Sequence, residues 1–293
     1  MWLKTLISKK YMPEHREKIP ATVRILTFHS EKIIRRALES VKDFAEILVL
    51  DSNSSDKALD IAREYGARIE KQFPDRVGQD IPIDDWPAVV NRGLQLASYD
   101  WVFYIDHDES LSKEALEEIR QIVTRTDIPY HIYRIPNRVI FMGREILYAT
   151  PYPGYQPRLV NKKSNAYYAH GPHYHLIYDK NKYKMGTMKH PWYVYIDQKV
   201  EKLKKRFIIL EAMDAKKQTW SGFFYWSVWR KLSTASKIFI KMVFMYLRHG
   251  FKNSLPFRME FLRVQNKLLL FTYCVRIRIF GEDMMKNIPQ KNQ

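Results

Sequence analysis

The feature that most narrows the fold is an alternation, running through the first third of the chain, of short apolar β-rich runs with helical segments, two of the runs ending in acid. Thr22 to Phe28 (TVRILTF) precedes Glu31 to Lys42, where Ile33, Ile34, Ala37, Leu38 and Val41 fall at helical spacing. Glu46 to Leu50 (EILVL) ends in Asp51 and a polar stretch to Asp56, which opens a helix through Ala62 that closes at Gly66. Ala67 to Glu70 gives a brief third strand. A helix from about Trp86 to Ala97 and a fourth strand, Trp101 to Ile105 (WVFYI), then lead into Asp106-His107-Asp108-Glu109. Such alternation predicts a mostly parallel sheet with right-handed crossovers, whose ligands bind beyond the carboxyl ends of the strands. Both acidic clusters stand at such ends.

Beyond a helix over Ser112 to Thr124, which Ser112 is placed to cap, the pattern changes to tyrosine-rich β-like segments: Tyr130 to Ile135, Arg138 to Met142, Gln156 to Val160 and Tyr167 to Ile177. They predict the antiparallel part of an α/β domain. From Val200 the sequence is helical, with Phe239, Met242, Val243 and Tyr246 on one face and Phe257, Phe261, Val264, Leu268 and Phe271 on another. The boundary expected is a catalytic domain over 1–198 and a basic helical extension over 199–293.

Composition sharpens this division. The chain of 293 residues carries a net charge of +17, but 20 Lys/Arg against 6 Asp/Glu fall from Lys199 onward, so +14 of it belongs to the last third. A nearly neutral core with a basic docking element is the expectation, and the docking partner is anionic. The single cysteine, Cys274, excludes an internal disulfide, and no Cys/His spacing for structural zinc occurs. No run of 18 apolar residues is present, and the stretch Met1 to Lys10 is too short for a signal peptide. A cytoplasmic protein is expected.

The chemistry concentrates at the strand ends. Two carboxylates at i and i+2, Asp106 and Asp108, can hold a hard divalent cation that grips a diphosphate and neutralises charge on its departure. The same pattern also makes an ordinary solvated turn. Asp51 can accept a hydrogen bond from a nucleobase or ribose, or serve as a turn residue, as Asp56 and Ser54 do at the next helix.

Taken together, ATVRILTFHSEKIIRRALESV, EILVLDSNSSDKALDIAREYGARI and NRGLQLASYDWVFYIDHDES resemble the family 2 glycosyltransferases of GT-A fold, over roughly Ala21 to Glu109. The nearest pattern is that of bacterial cell-envelope enzymes related to lipopolysaccharide-core β-glucosyltransferases, whose ending is similar to FMYLRHGFKNSLPFRMEFLRVQNKLLLFTY. The resemblance implies a GT-A α/β mixed sheet and inverting transfer from a UDP-sugar to a hydroxyl of an envelope glycan or lipid-linked acceptor, with Mn2+ or Mg2+. It places Thr27, His29, Asp51, Ser52, Asn91, Arg92 and Asp106 at the nucleotide sugar, and Asp106 and Asp108 at the metal.

Two departures stand out. His29-Ser30 replace the family's Asn-Glu after the first strand, and Tyr174 follows His173 where the family has an acidic catalytic base. His173 and His175 are therefore candidate bases or metal ligands, with Glu109, Glu145 and Asp179 as alternatives. On a β-like segment His170 faces away from the other two, which argues against a three-histidine centre.

The tail interleaves Trp226, Trp229, Phe239, Tyr246, Phe251 and Phe271 with Arg230, Lys231, Lys237, Lys241, Arg248, Lys252, Arg258 and Arg263. Aromatics and cations suit the headgroup layer of an anionic membrane, which would place the enzyme peripherally on the inner face. They also suit nucleic acid, making hydroxylated DNA bases an alternative acceptor, or the aromatic face packs on the core and the charge is solvated. A degenerate sugar-binding protein without activity is the remaining alternative.

Overall fold

The computed structural model describes residues 17–78, 85–169, 175–196 and 218–280. The chain forms two compact units: Met1–Arg134, Pro157–Ala169 and Leu176–His190 in the first, and Ile135–Gln156, His170–His175 and Pro191–Gln293 in the second.

In the first unit, β1 (Ile19–Thr27) is the centre of a parallel sheet, flanked by β2 (Phe44–Asp51) and β4 (Trp101–Asp106), with β3 (Arg68–Lys71) beyond β2. Val23 and Ile25 on one face and Thr22, Arg24 and Leu26 on the other are all buried, as a central strand covered on both faces requires. Helix α1 (Ile34–Val41) buries Ile34, Ala37, Leu38 and Val41, the stripe its sequence spacing marks. Helix α2 (Ala58–Glu64) ends before Gly66, whose φ of +70° is the left-handed turn that glycine adopts without strain.

Helix α3 (Trp86–Leu96) is capped by Asp85, which accepts from Ala88 N at 2.9 Å. After β5 (Glu109–Leu111), Ser112 caps α4 (Lys113–Val123) through Ala115 N at 3.0 Å, as expected. Gly93 lets α3 lie close on the sheet: a Cβ there would stand 2.1 Å from Arg24 Cδ and 3.1 Å from Leu50 Cδ1.

Later strands correct the sequence reading in part. Tyr130 to Met142 is one strand, β6 (Ile132–Phe141), with Pro136 inside it. Strand β7 (Arg144–Ile146) pairs antiparallel with β6, and β8 (Tyr155–Asn161) pairs antiparallel with β4. Tyr167 to Ile177 holds two short strands, β9 (Tyr167–Ala169) and β10 (His175–Ile177), which pair with each other. Strands β11 (Met185–Thr187) and β12 (Trp192–Ile196), which lie outside the segments read as β-like, run parallel to β6.

In the second unit, a π-helical stretch, Phe223–Trp229, leads into α5 (Arg230–His249), and α6 (Phe257–Phe280) follows. Phe223 packs with Leu270, Cys274 and Ile277 in one small core. Glu260 is fully buried and accepts from Thr150 N at 2.8 Å and Thr150 Oγ1 at 2.5 Å. Of the two faces read at helical spacing, Met242 and Val264 are buried, whereas Phe239, Val243, Phe257 and Leu268 are exposed. No helix among the described residues is long and apolar enough to cross a membrane.

Candidate active site

Strand register brings the two acidic ends together. Thr27 at the end of β1 pairs with Asp51, and Leu26 pairs with Asp106 on the other side. The two aspartates thus flank one strand, about 10 Å apart at two interstrand spacings. Leu26, Thr27, Phe28, Trp86, Asp106, His107 and Asp108 line a cleft of about 160 Å³ there.

Asp51 is buried and holds the turn after β2: Oδ2 accepts from Ser54 N at 2.8 Å and Oδ1 from Ser54 Oγ at 2.6 Å. Ser54 Oγ accepts in turn from His29 N at 3.1 Å, which joins the loops after β1 and β2. His29 is exposed at a positive φ of 47°, a conformation uncommon for non-glycine residues. Thr27 is buried with its hydroxyl on Ser30 Oγ, and Ser52 is buried at the strand end. Gln72 Nε2 donates to Thr27 O at 3.1 Å and Leu50 O at 2.9 Å, fixing the ends of β1 and β2.

At the end of β4, Asp106 is partly buried, Asp108 is exposed and Glu109 is buried. Burial, then the charge of Glu109, pushes the Asp106 carboxyl up to about 6 against the opposing pull of Arg158 and Arg24. Asp108 O accepts from Arg36 Nη2 at 3.2 Å, and His107 N donates to Leu26 O at 3.2 Å. Crowded carboxylates of this kind attract a cation.

Glu109 has a different place from the base considered in the sequence. It forms a two-pronged pair with Arg158, Nη2 to Oε1 at 2.9 Å and Nη1 to Oε2, both side chains buried. Burial works against the Arg158 charge, but Glu109 overrides it and raises the Arg158 pKa. Beside it, Arg24 is buried and its pKa is lowered by burial. The Arg24 and Arg158 guanidinium carbons lie 4.8 and 4.7 Å from the centre of the Tyr104 ring.

The remaining predicted residues scatter. Asn91 exchanges two hydrogen bonds with the Tyr168 backbone, Nδ2 to O at 2.8 Å and Oδ1 from N at 2.7 Å, and so anchors α3 to β9. Arg92 Nε donates to Lys71 O at 2.9 Å, at the end of β3. Asp179 closes a turn by accepting from Asn181 N at 2.9 Å, and Glu145 is exposed on β7. His175 is exposed on β10 and belongs to the second unit, while His170 and His173 lie outside the described residues. Sequence reasoning did not single out Trp86, Arg24 or Arg158. The two arginines were marked by a lone charge inside the apolar runs TVRILTF and PRLV, a residue type that is rarely buried unless paired.

Residues 22–172 match the Glycosyl transferase family 2, and the chain belongs to that family. Its mixed α/β sheet, with the two acidic turns at the carboxyl ends of the strands that flank β1, is the GT-A arrangement. A glycosyltransferase derived from the SPbeta prophage, SunS of Bacillus subtilis strain 168, is 34% identical over 103 residues, 34% of this chain and 23% of that protein. An uncharacterized glycosyltransferase of Rickettsia bellii is 32% identical over 146 residues, 47% of this chain and 45% of the relative. The chain spans less than half the length of these curated relatives. Among solved structures, Staphylococcus aureus TarS 1-349 in complex with UDP-GlcNAc is 15% identical, with 88% of this chain and 91% of that chain covered at a TM-score of 0.43. Glucosyl-3-phosphoglycerate synthase from Mycobacterium tuberculosis, in complex with Mn2+, UDP and glucosyl-3-phosphoglycerate, is 21% identical, with 40% of this chain and 44% of that chain covered at a TM-score of 0.32.

Proposed function

We propose that the chain moves a sugar from a UDP-sugar to a hydroxyl of an envelope glycan or lipid-linked acceptor, with inversion at the anomeric carbon. The observation that carries the reading is the cleft at the ends of β1 and β4, lined by Thr27, Trp86, Asp106 and Asp108, within the residues that match the family. Asp51, at the end of the neighbouring strand, would meet the base or ribose. Asp106 and Asp108 fit a divalent cation shared with a diphosphate, because Mg2+-like ions take one or two carboxylates and complete their shell with phosphate and water. No larger group of His, Cys, Asp and Glu suited to a metal occurs among the described residues. When bound, Mn2+ or Mg2+ would neutralise the charge developing on the diphosphate.

In the displacement the acceptor oxygen bonds to the anomeric carbon as the bond to the diphosphate oxygen breaks, and a base takes the hydroxyl proton. With Glu109 occupied by Arg158, that role is assigned on the sequence to His173 or His175. The extension over 199–293 is the acceptor-side element of this reading. Its exposed rings and basic residues on α5 and α6 support docking on the anionic inner face of a membrane.

The test is a thermal-shift titration with UDP, GDP, CDP and TDP, each with Mn2+ and with a chelator. A ligand at 100 times its Kd adds about 2.7 kcal/mol to stability. A metal-dependent shift with UDP alone is expected, lost in Asp106→Ala and Asp108→Ala variants that still fold. No shift with any nucleotide would favour a degenerate binding protein. Retention on duplex DNA without retention on anionic vesicles would replace the membrane-side acceptor with DNA.

A further inference from the structure

A buried ion pair contributes little net stability, since apolar residues of similar volume often replace it at no loss. The Glu109–Arg158 pair is buried on both sides, so its contacts have to account for it. Glu109 Oε2 also accepts from Asp106 N at 3.0 Å, closing the four-residue turn that carries Asp106 and Asp108. Arg158 Nη1 also donates to Tyr104 O at 3.4 Å, on the strand that leads into that turn. The pair therefore grips the backbone on both sides of Ile105. Arg158 itself is held by β8, where Leu159 is in register with Phe103 of β4, and its guanidinium lies over the Tyr104 ring.

We propose that Glu109 and Arg158 are positioning residues of the donor site: a clamp that fixes the acidic turn so that Asp106 and Asp108 present their carboxylates to a cation-bound diphosphate. Neither residue touches the reacting atoms. The inference rests on the donor-site reading above and explains why a glutamate follows the two aspartates without acting as a base. A lysine at 158 would keep the charge but not the fork that holds both Glu109 oxygens and Tyr104 O.

The experiment compares the full chain with Glu109→Leu/Arg158→Met, Arg158→Lys and Glu109→Gln, reading thermal unfolding without ligand and Mn2+-dependent UDP binding by calorimetry. The double variant loses both charges together but leaves Asp106 N without its side-chain acceptor, so a folded protein with an unfolding midpoint only modestly below the parent's is expected. Its Kd for UDP with Mn2+ is expected to rise about 10- to 100-fold, the range for lost supporting partners of a metal site. Arg158→Lys is expected to bind weakly as well. A folded double variant that binds UDP with the parent's Kd overturns the clamp. If the double variant does not fold, Glu109→Gln decides: a raised Kd supports the clamp and an unchanged one overturns it. A parent that binds none of the four nucleoside diphosphates overturns the donor-site reading and the clamp with it, whereas a binding parent with an equally binding double variant overturns only the clamp.

Discussion

The sheet unit and the helical unit use the same two ingredients, cations and aromatic rings, in opposite places. In the first, Arg24 and Arg158 are 1% and 3% exposed and lie over Tyr104. In the second, Trp229, Phe244 and Leu247 are 67%, 68% and 79% exposed, and the twenty residues of α5 bury only Ala235 and Met242. Hiding a charge is costly and is sustained only by partners in fixed positions. Displaying a contiguous apolar face leaves a surface for something outside the chain. The contrast separates a unit that buries its cations against rings from a unit that exposes its rings.

The largest break in that contrast comes from Arg158→Met alone. It leaves Glu109 as an uncompensated buried charge, and a loss of about 3–5 kcal/mol is expected in denaturant unfolding. An effect below 1 kcal/mol would mean that the sheet unit tolerates a lone charge.

Glu260→Leu probes the place where the helical unit does bury a charge. It orphans Thr150 N, and a loss of about 1–3 kcal/mol is expected, measured the same way.

A smaller effect is expected from pH. The folded protein binds the Asp106 proton more tightly than the unfolded chain, since its pKa is raised from 3.8 to about 6. The contribution of this group to stability is therefore present below the ordinary value and is lost as pH rises from about 4 to about 6. The difference in unfolding midpoint between the parent and Asp106→Asn, followed across that window, should change in this direction, and Mn2+ with UDP should offset it above pH 6. A flat difference would remove the electrostatic account of the strand end.

The smallest stability effect is expected on α5. Phe244→Ser and Leu247→Ser should each change stability by no more than about 0.5 kcal/mol while co-sedimentation with anionic vesicles at low salt falls. A loss of several kcal/mol would instead show that this face is core.

The strand ends were legible because their signal is local. An apolar run closed by Asp51 or Asp106 identifies both the strand and its end, and β1 to β4, α1, α3 and α4 lie within three residues of expectation. Strand β6 was read as two because Pro136 interrupts the ladder pattern, although Asn137 N finds Gly154 O at 2.9 Å. The buried side of α6 was not legible because apolar residues surround that helix, so periodicity cannot select one side. Its buried set is Glu260, Val264, Leu270, Cys274 and Ile277, of which the row read at helical spacing contains Val264. The function of Glu109 was out of reach for another reason: its partner Arg158 lies on β8, and only the tertiary register brings the two together.

The close approach at Gly93 reaches beyond packing. Because the space a side chain would need there is filled by Arg24, the two positions are a single heritable character. A larger residue on the helix must displace the Arg24 stem and press on Leu50 as well, so a change at position 93 calls for a change at position 24. Sequences that carry a side chain at position 93 are expected to carry something shorter than arginine at position 24.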